Sequence, residues 1–405
     1  MDKKACELFA GVGGFRLGLE RLNSGWETVW FSQWEPGRKT QHAHDCYVRR
    51  FGDCPDLNGE FHTGEDVSGV DKSAIPDFSL LTGGFPCQTY SIAASLASST
   101  GIEGKKGELW WQIRDVIEAK RPPFCLFENV DRLLKSPARQ RGRDFGIILS
   151  CLNSLGYSAE WRVVNAADYG AAQRRRRTFI FAYENGTSYA ERTVEESEES
   201  LVSKDGFMAK AFPIESASGF AETELPETPL KVSDSFAFRF PEAGMMRKGR
   251  IVGCSVEPKR EDPIPLGSVL ETDVPESCFI SDEKRRKFEY MKGSKKIMRT
   301  TKTGHEYVYS EGAMACPDPL DRPARTMLTS EGSLGRTTHV LEDPKTGRWR
   351  ILTPVETERL QGFDDGWTEG MPDRMRRFCM GNALVVPMVT RMGAVLDGII
   401  ELEKE

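Results

Sequence analysis

The first 183 residues alternate between short apolar runs and segments whose apolar residues recur with the period of a helix. Apolar runs bounded by turn residues predict buried strands, and the helical period predicts amphipathic helices. Strands that alternate with helices build a parallel sheet, because parallel neighbours need a long crossover connection. The pattern predicts an α/β fold with a doubly wound, mostly parallel sheet, whose strands lie at residues 4–9, 27–31, 79–82, 124–127, 157–164 and 178–182.

The sequence changes character after Tyr183. Residues 184–320 are rich in Glu, Ser, Pro, Gly and Lys, and helical periodicity is scarce there. We therefore expect a second, smaller and irregular domain, with a disordered stretch near residues 191–205. Regular structure resumes at Thr353 and Glu356, which have the spacing of a helix capping box, and a final helix is expected over residues 385–401.

Composition limits the class of protein. The chain has 405 residues, of which 39% are hydrophobic and 29% charged, and no apolar run is long enough to span a membrane. Ten cysteines without CxxC pairs favour a reduced, cytoplasmic protein over a disulfide framework or a metal site. The net charge of -6 is unusual for a DNA-binding domain. Basic runs at 284–287 and 295–296 nevertheless stand apart from the acidic runs, and a basic face can still bind phosphates.

A glycine-proline turn carries a cysteine directly after the strand at 79–82. In Gly83-Gly84-Phe85-Pro86-Cys87-Gln88, glycine permits a tight turn and proline fixes φ just before the thiol. Strand ends are where ligands bind in open α/β sheets. Taken alone, such a cysteine is more often buried and inert. The interpretation of Cys87 therefore depends on the other motifs.

Further motifs lie in a fixed order around this turn: Glu7-Leu8-Phe9-Ala10-Gly11-Val12-Gly13-Gly14-Phe15, Phe127-Glu128-Asn129-Val130, Gln173-Arg174-Arg175-Arg176-Arg177 and Gly381-Asn382-Ala383-Leu384-Val385-Val386-Pro387. Together they resemble the ordered motifs of bacterial DNA cytosine C5-methyltransferases, over residues 4–183 and 321–400. The resemblance implies a Rossmann-like, S-adenosylmethionine-dependent catalytic domain at 1–183, a target-recognition domain at 184–352, and a segment 353–405 that returns to the catalytic domain.

The resemblance also implies a covalent mechanism. C5 of cytosine is not nucleophilic, and attack of the Cys87 thiolate on C6 would make it enamine-like. Glu128 would hold the N3 edge of the base, while Arg175 and Arg177 would contact its O2 or nearby phosphates. The cytosine would have to leave the duplex. Other residues expected at the substrate are Gln88, Ser91, Asn129, Arg322 and Thr326.

S-adenosylmethionine is the expected methyl donor, and S-adenosylhomocysteine the expected product. The glycine-rich turn has the spacing GxGG, although dinucleotide-binding enzymes also have such turns. The family places an acid before the aromatic residue that follows the second strand. Here Gln33 stands at that position and Glu35 follows Trp34, so either could hold the ribose. The residues expected around the cofactor are Phe9, Ala10, Gly11, Gly13, Gly14, Trp34, Glu35, Asp66, Val67, Pro86, Leu109, Asn382 and Ala383.

The expected partners are double-stranded DNA and a cognate restriction or defence system, with no membrane, and the protein is expected to be a monomer. Three alternatives remain open: a tRNA-directed enzyme with the same chemistry, a catalytically silent DNA-binding regulator, and a dehydrogenase. The long variable region favours the reading of a DNA sequence. The presence of Cys87, Glu128 and Arg177 argues against a silent regulator.

Overall fold

The computed structural model describes residues 1–85, 108–301 and 304–403. The chain divides into two compact units, of which unit 1 contains residues 1–169, 176–262 and 384–405, and unit 2 contains residues 170–175 and 263–383. The division does not coincide with the expected boundaries at 183 and 352, because residues 184–262 belong to unit 1 and residues 353–383 to unit 2. The first difference arises because strands within residues 184–262 join the large sheet of unit 1.

Nine strands of the described residues form the sheet of unit 1. They are β1 (Lys4–Leu8), β2 (Glu27–Ser32), β3 (Leu80–Gly84), β4 (Phe124–Val130), β5 (Tyr157–Asn165), β6 (Arg176–Glu184), β7 (Ile214–Glu224), β8 (Ala243–Arg247) and β9 (Arg250–Pro258). Their order is β2-β1-β3-β4-β6-β5-β8-β9-β7. Strands β2, β1, β3 and β4 run parallel, whereas every pair from β4 to β7 is antiparallel. The predicted α/β fold is confirmed, and its sheet is larger and more mixed than expected.

The helices are numbered along the whole chain. Unit 1 contains α1 (Gly14–Glu20), α2 (His42–Phe51), α3 (Glu108–Lys120), α4 (Arg143–Ser154), α5 (Ser188–Thr193), α6 (Glu198–Ser200), α7 (Phe207–Ala211), α8 (Pro229–Ser235) and α12 (Val386–Leu402). Unit 2 contains α9 (Asp282–Lys292), α10 (Pro354–Gln361) and α11 (Asp373–Asn382). Short helical turns occupy Val67–Gly69, Lys72–Ala74, Asp131–Lys135, Ala166–Asp168, Leu201–Asp205, Leu266–Val269 and Glu276–Cys278. Within the described residues, no single helix is both long and apolar enough to cross a bilayer.

The final helix packs closely against the first in unit 1. A Cβ on Gly18 of α1 would lie 2.6 Å from Cβ of Val389 in α12, so the two helices touch where glycine stands. Trp26 Nε1 also donates to Asp397 Oδ1 at 2.9 Å. The helix expected over 385–401 is therefore confirmed, and its apolar face belongs to the core of unit 1.

The expected disorder near residues 191–205 is wrong. Leu201 and Val202 are buried in a cluster with Met245 of β8 and Cys254 of β9. Glu198, within the acidic run, pairs with Arg247 at 2.7 Å, so this run also has a structural partner. Burial of the apolar pair on the antiparallel part of the sheet compensates for the ordering of a segment with a disorder-like composition.

Unit 2 is built from short elements. Its strands form two separate antiparallel pairs, β10 (Lys295–Thr300) with β11 (Glu306–Glu311) and β12 (Val340–Glu342) with β13 (Trp349–Ile351). The predicted capping box begins α10: Glu356 N donates to Thr353 Oγ1 at 3.1 Å, and Thr353 N donates to Glu356 Oε2 at 2.9 Å. Pro354 occupies the first turn, where its missing N–H costs nothing.

Buried charges hold several of these short elements together. Asp318 accepts hydrogen bonds from Arg325 Nε at 2.7 Å, Lys292 Nζ at 3.0 Å and Val340 N at 2.9 Å. Burial opposes its negative charge, but Arg325, His339 and Lys292 together lower the pKa of Asp318 to about 2. One carboxylate thereby links the end of α9 to the start of β12.

Replacement of Gly244 tests the packing of the antiparallel half of the sheet. A Cβ there would lie 2.2 Å from Trp161 Cζ2 and 2.6 Å from the Val252 carbonyl oxygen. Because neither neighbour can yield cheaply, Gly244→Ala should lower the free energy of unfolding by about 1–3 kcal/mol.

Gly398→Ala in α12 is the matched control, since no heavy atom of the described residues lies within 4 Å of its Cβ position. It should raise the free energy of unfolding by roughly 0.5–1 kcal/mol, because glycine weakens a helix interior. Urea unfolding followed by circular dichroism measures both variants, and equal effects would contradict the packing argument.

Candidate active site

The predicted catalytic carboxylate and one predicted arginine meet at one edge of the sheet in unit 1. Gly84 at the end of β3 pairs with Glu128 in β4, which runs parallel to it. Strand β6 runs antiparallel to β4 and brings Arg177 opposite Val130. The carboxyl ends of parallel strands are where ligands bind in open α/β sheets, and both side chains lie at this edge.

Glu128 and Arg177 form an ion pair. Arg177 Nε lies 2.7 Å from Glu128 Oε1, and the two side chains are only 16% and 11% exposed. Oε1 accepts no hydrogen bond of ordinary geometry from the described residues, so the contact is mainly electrostatic. Arg177 Nη1 donates to the Arg176 carbonyl at 2.7 Å, which fixes the guanidinium. The carboxylate is thus oriented by a cation and can still accept a hydrogen bond from a ligand.

Asn129 fixes the chain just beyond β3. Its Nδ2 donates to the Phe85 carbonyl at 2.7 Å, and its Oδ1 accepts from Val130 N at 2.9 Å. Because the side chain is buried, these bonds favour the positioning of the turn over the expected contact with substrate. The predicted residues Pro86, Cys87, Gln88 and Ser91 lie outside the described part of the chain, and their roles stay predictions.

The glycine-rich turn after β1 has a backbone that favours small residues. Phe9, Gly11 and Gly13 have φ values of 55°, 58° and 86°. A Cβ on Gly13 would lie 2.4 Å from Phe51 Cε2, whereas no heavy atom of the described residues is within 4 Å of the Cβ position of Gly11. Gly13 is therefore required for packing, and Gly11 leaves space for a ligand beside the backbone.

Gln33 supports this turn, and Glu35 does not. Gly11 N donates to Gln33 Oε1 at 2.7 Å. The carboxylate of Glu35 is directed to α2 instead, where Oε2 accepts from Ala43 N at 3.2 Å. Of the two residues that could hold the ribose, the geometry favours Gln33.

The other residues expected around the cofactor differ in exposure. Trp34 exposes 40% of its surface, so its indole ring is free to stack on a flat ligand. Asp66 Oδ1 accepts from Ser68 N at 3.0 Å, and Gln33 N donates to the Thr63 carbonyl at 2.8 Å, which ties this segment to the end of β2. Of the remaining expected cofactor residues, Ala10, Gly14 and Val67 are buried, and Leu109 in α3 is half-buried.

Glu7 is a buried acid to which the sequence reasoning assigned no role. It lies in β1 and is 1% exposed, with Tyr47 Oη donating to its Oε2 at 3.1 Å. Its Oε1 has no hydrogen-bond partner among the described residues. Burial raises the pKa of Glu7 to about 8, because the charged form loses more hydration than Tyr47 and Arg16 restore. The sequence feature that could have identified Glu7 is an acidic residue between the apolar residues Cys6 and Leu8 of a predicted strand.

Arg175 lies in unit 2, and its guanidinium binds backbone carbonyls. The residue is 1% exposed; Nη1 donates to the Met327 carbonyl at 3.0 Å, and Nη2 to the carbonyls of Gly381 at 3.0 Å and Asn382 at 3.4 Å. Gly381 is itself tightly packed, since a Cβ there would lie 2.5 Å from the Leu328 carbonyl carbon. These bonds favour a positioning role for Arg175 over the expected contact with the base.

The remaining predicted residues also lie in unit 2. Arg322 is exposed, and Thr326 Oγ1 donates to the Arg174 carbonyl at 2.6 Å. Asn382 is the last residue of α11 and is exposed, and Ala383 follows it half-buried. The expected contacts of these residues with substrate and cofactor stay predictions.

Comparisons with a family model and with individual proteins indicate the same family. The model of the family described as C-5 cytosine-specific DNA methylase matches residues 3–397. The chain is 50% identical over 402 residues to the type II methyltransferase M.Sau3AI of Staphylococcus aureus, over 98% of this chain and 96% of that protein. It is 28% identical over 388 residues to the type II methyltransferase M.NgoBI of Neisseria gonorrhoeae, over 95% of this chain and 90% of the relative.

Solved structures share the fold. The Entamoeba histolytica methyltransferase EhMeth matches with a TM-score of 0.59 at 14% identity, over 100% of both chains. A Spodoptera frugiperda DNMT2 mutant matches with a TM-score of 0.60 at 12% identity, over 98% of this chain and 99% of that chain. At these identities the likeness concerns the fold.

The raised pKa of Glu7 predicts how stability depends on pH. Between the ordinary value of 4.5 and about 8, the folded state holds a proton that the unfolded chain releases. Stability should therefore fall as pH rises through this window and level off above it. Glu7→Gln removes the titration, so its free energy of unfolding should exceed that of the wild type above pH 8, with the difference shrinking toward pH 4.5.

Glu27→Gln, at an exposed position at the start of β2, is the control. It should leave the free energy of unfolding unchanged both near pH 4.5 and above pH 8. Thermal unfolding at a series of pH values measures all three proteins. A Glu7→Gln difference that is independent of pH would contradict the burial of an uncompensated carboxyl group.

Arg175→Lys tests the positioning role of the buried guanidinium. Lysine keeps the charge but has a single nitrogen where Arg175 uses Nη1 and Nη2 on different carbonyls, so the variant should lose about 1–3 kcal/mol of unfolding free energy. Arg176→Lys, at a side chain that is 47% exposed, is the neighbouring control and should change stability little. Equal stability of the two variants in urea unfolding would return Arg175 to the candidates for base contact.

Proposed function

The chain belongs to the C-5 cytosine-specific DNA methylase family, and we propose that it methylates one cytosine of a short duplex sequence as the modification enzyme of a restriction-modification system. The type II methyltransferases of S. aureus and N. gonorrhoeae support this assignment, because each aligns over nine-tenths or more of both chains. The match to M.Sau3AI also extends through the region that the sequence assigned to target recognition. We therefore propose that the two proteins methylate the same sequence.

The paired Glu128 and Arg177 carry the proposal. They lie at the edge of the sheet where β3 ends, and Phe85 at that end is held by Asn129. Cys87 follows Phe85 by two residues along the chain. A thiol, a carboxylate and a guanidinium are the groups that covalent activation of cytosine requires.

In the proposed mechanism, Sγ of Cys87 forms a bond to C6 of the flipped cytosine. The electron pair of the C5–C6 double bond then becomes available at C5. Glu128 binds the N3 edge and stabilises the proton held there, while Arg177 donates to O2, where negative charge develops. After C5 has gained its methyl group, a water molecule accepts the C5 proton, the C5–H electron pair re-forms the C5–C6 double bond, and the Sγ–C6 pair leaves with sulfur as the thiolate.

S-adenosylmethionine, when bound, supplies the methyl group. The described residues fit it by two observations: open space beside Gly11 at a positive φ, and the exposed indole ring of Trp34. Gln33 would hold the turn and face the ribose, and Asp66 would meet the adenine amino group. Glu7 carries a buried, unpartnered carboxyl oxygen in β1, the strand that leads into this turn. A cationic ligand beside it would favour the ionised form of that group.

Methylation mapping tests the proposal directly. The chain, its Cys87→Ala variant and M.Sau3AI are expressed separately in a host that lacks cytosine methylation, and genomic DNA is sequenced after bisulfite conversion. We expect methylated cytosines in one short recurring context for the wild type, the same context for M.Sau3AI, and none for Cys87→Ala. DNA modified in this way should also resist a nuclease that cuts the same sequence.

The Cys87→Ala variant should still bind duplex DNA, because the thiol is needed for chemistry and not for affinity. Methylation by that variant would contradict the nucleophile assignment. Soluble wild-type protein that leaves duplex DNA unmodified but methylates tRNA would contradict the proposed substrate. A context that differs from that of M.Sau3AI would contradict only the shared recognition sequence.

A further inference from the structure

Strands β10 and β11 form a two-stranded ribbon that is exposed on both faces. Its six residue pairs run from Lys295 opposite Glu311 to Thr300 opposite Glu306, and the ribbon does not belong to the large sheet. A ribbon that packs on a core buries every second residue. Here Met298 and Val308 on one face are 60% and 58% exposed, and no residue of either strand is fully buried, although Tyr309 and Glu311 on the other face are half-buried.

Each face of the ribbon has its own chemistry. On one face Met298 stands directly opposite Val308, with Lys296 opposite Ser310 beside them. Neither side chain belongs to an apolar cluster of the described residues of unit 2. Methyl-bearing and thioether side chains at such a position suit contact with another apolar group, such as the methyl group of thymine.

The other face combines cations with aromatic rings. The Arg299 guanidinium lies 3.7 Å from the centroid of the Tyr309 ring, and Lys295 Nζ lies 4.4 Å from that of Tyr290 in α9. Stacking holds the long side chains extended, so less conformational entropy is lost when they bind an anion. These cations are thus oriented before any ligand arrives.

The base of the ribbon is fixed firmly. Arg336 Nη1 donates to the carbonyls of Met291 at 2.7 Å and Gly293 at 3.1 Å, and its Nη2 donates to the Gly312 carbonyl beyond β11. Lys292, between the first two, is buried against Asp318. One guanidinium therefore joins the segment that precedes β10 to the residue that follows β11. The exposed residues project from this fixed base.

The charge around the ribbon is positive. Three acids are neutralised by nearby cations: Glu283 by Lys287 at 2.6 Å, Glu289 by Arg285 at 3.1 Å and Glu311 by Arg336 at 3.3 Å. Among the described residues of α9 and the ribbon, the exposed or half-buried charges outside these pairs are the cations Lys284, Arg286, Lys295, Lys296 and Arg299, and the acids Asp282 and Glu306. This excess favours a polyanionic partner over an ordinary protein surface.

We propose that the β10–β11 ribbon enters the major groove of duplex DNA and reads the recognition sequence, which rests on the proposed function. The major groove, about 12 Å wide, admits a two-stranded ribbon. Strands about 4.8 Å apart leave room in that width for side chains on both faces. Met298 and Val308 would then meet base edges, while Lys296 and Arg299 would meet phosphates on the flanking strands.

Binding experiments on two double variants test this assignment. Equilibrium binding is measured on a duplex with the methylated context and on a scrambled duplex, over a series of salt concentrations. Met298→Ala with Val308→Ala should weaken binding to the specific duplex about tenfold and leave the scrambled duplex unchanged, since a lost base contact costs specificity. Lys296→Ala with Arg299→Ala should weaken binding to both duplexes and reduce the salt slope by about 2.

Matched controls lie elsewhere in unit 2. Ile264→Ala removes another exposed apolar side chain, and Lys345→Ala removes another exposed cation. Both should bind both duplexes as the wild type does. Binding of S-adenosylmethionine by calorimetry, unchanged in all variants, shows that a loss of DNA binding is not a loss of fold.

The measurements distinguish a wrong assignment of the ribbon from a wrong proposed function. Ribbon variants that keep wild-type affinity, salt slope and methylation context overturn the inference even if the wild type methylates DNA. A change in self-association without a change in DNA binding would reassign the ribbon to a protein contact and also overturn it. A wild type whose affinity for duplex DNA and salt slope fall in the Lys296→Ala with Arg299→Ala variant, but which methylates no DNA, would keep the ribbon as a DNA contact and contradict the proposed function.

Discussion

The pairing of β4 with a parallel strand on one side and an antiparallel strand on the other sets the geometry of the candidate site. Parallel pairing places the end of β3 beside Glu128, and antiparallel pairing places the start of β6, with Arg177, at the same edge. A wholly parallel sheet would carry the first residues of β6 to the opposite edge. The carboxylate and its cation meet because the direction of the strands changes between β4 and β6.

Unit 2 combines small apolar clusters with buried charges that have several partners. Asp318 bridges α9 and β12, Arg350 pairs with Asp343 and Glu356, and Arg175 joins the segment at Met327 to the end of α11 through backbone carbonyls. Short elements bury little apolar surface, so hydrogen-bonded charges with several partners define their arrangement. Such groups are costly to break singly, because the partner that remains is buried and unpaired.

The sequence predicts the parallel half of the fold well, because its strands are continuous apolar runs that both faces bury. It does not predict β7 to β9, since residues 214–258 combine short apolar bits with many polar residues. In β7, for example, Ile214 and Ala217 are half-buried among exposed neighbours. Tertiary burial of Leu201 and Val202 likewise orders a segment whose acidic composition predicts disorder.

Within the site, the sequence identifies Glu128 and Arg177 and the glycine-rich turn, because each occupies a motif with fixed spacing. It does not separate Arg175 from Arg177. Alternation along a strand predicts that both face one way, but β6 begins only at Arg176, so Arg175 does not follow that period. Glu7 is missed for another reason: its burial results from tertiary packing, and Tyr47, which donates a hydrogen bond to it, is distant in sequence.

The hydrogen bonds of Arg336 hold the base of the β10–β11 ribbon, whereas other residues form its exposed surface. Arg336 holds the ribbon through backbone carbonyls, which every residue type supplies, and through an ion pair with Glu311, whereas the side chains of Met298 and Val308 are exposed. Substitutions of Met298 and Val308 should therefore change the free energy of unfolding little. New side chains can arise at these two positions while the catalytic sheet stays unchanged, so preferences for different targets can evolve on one scaffold.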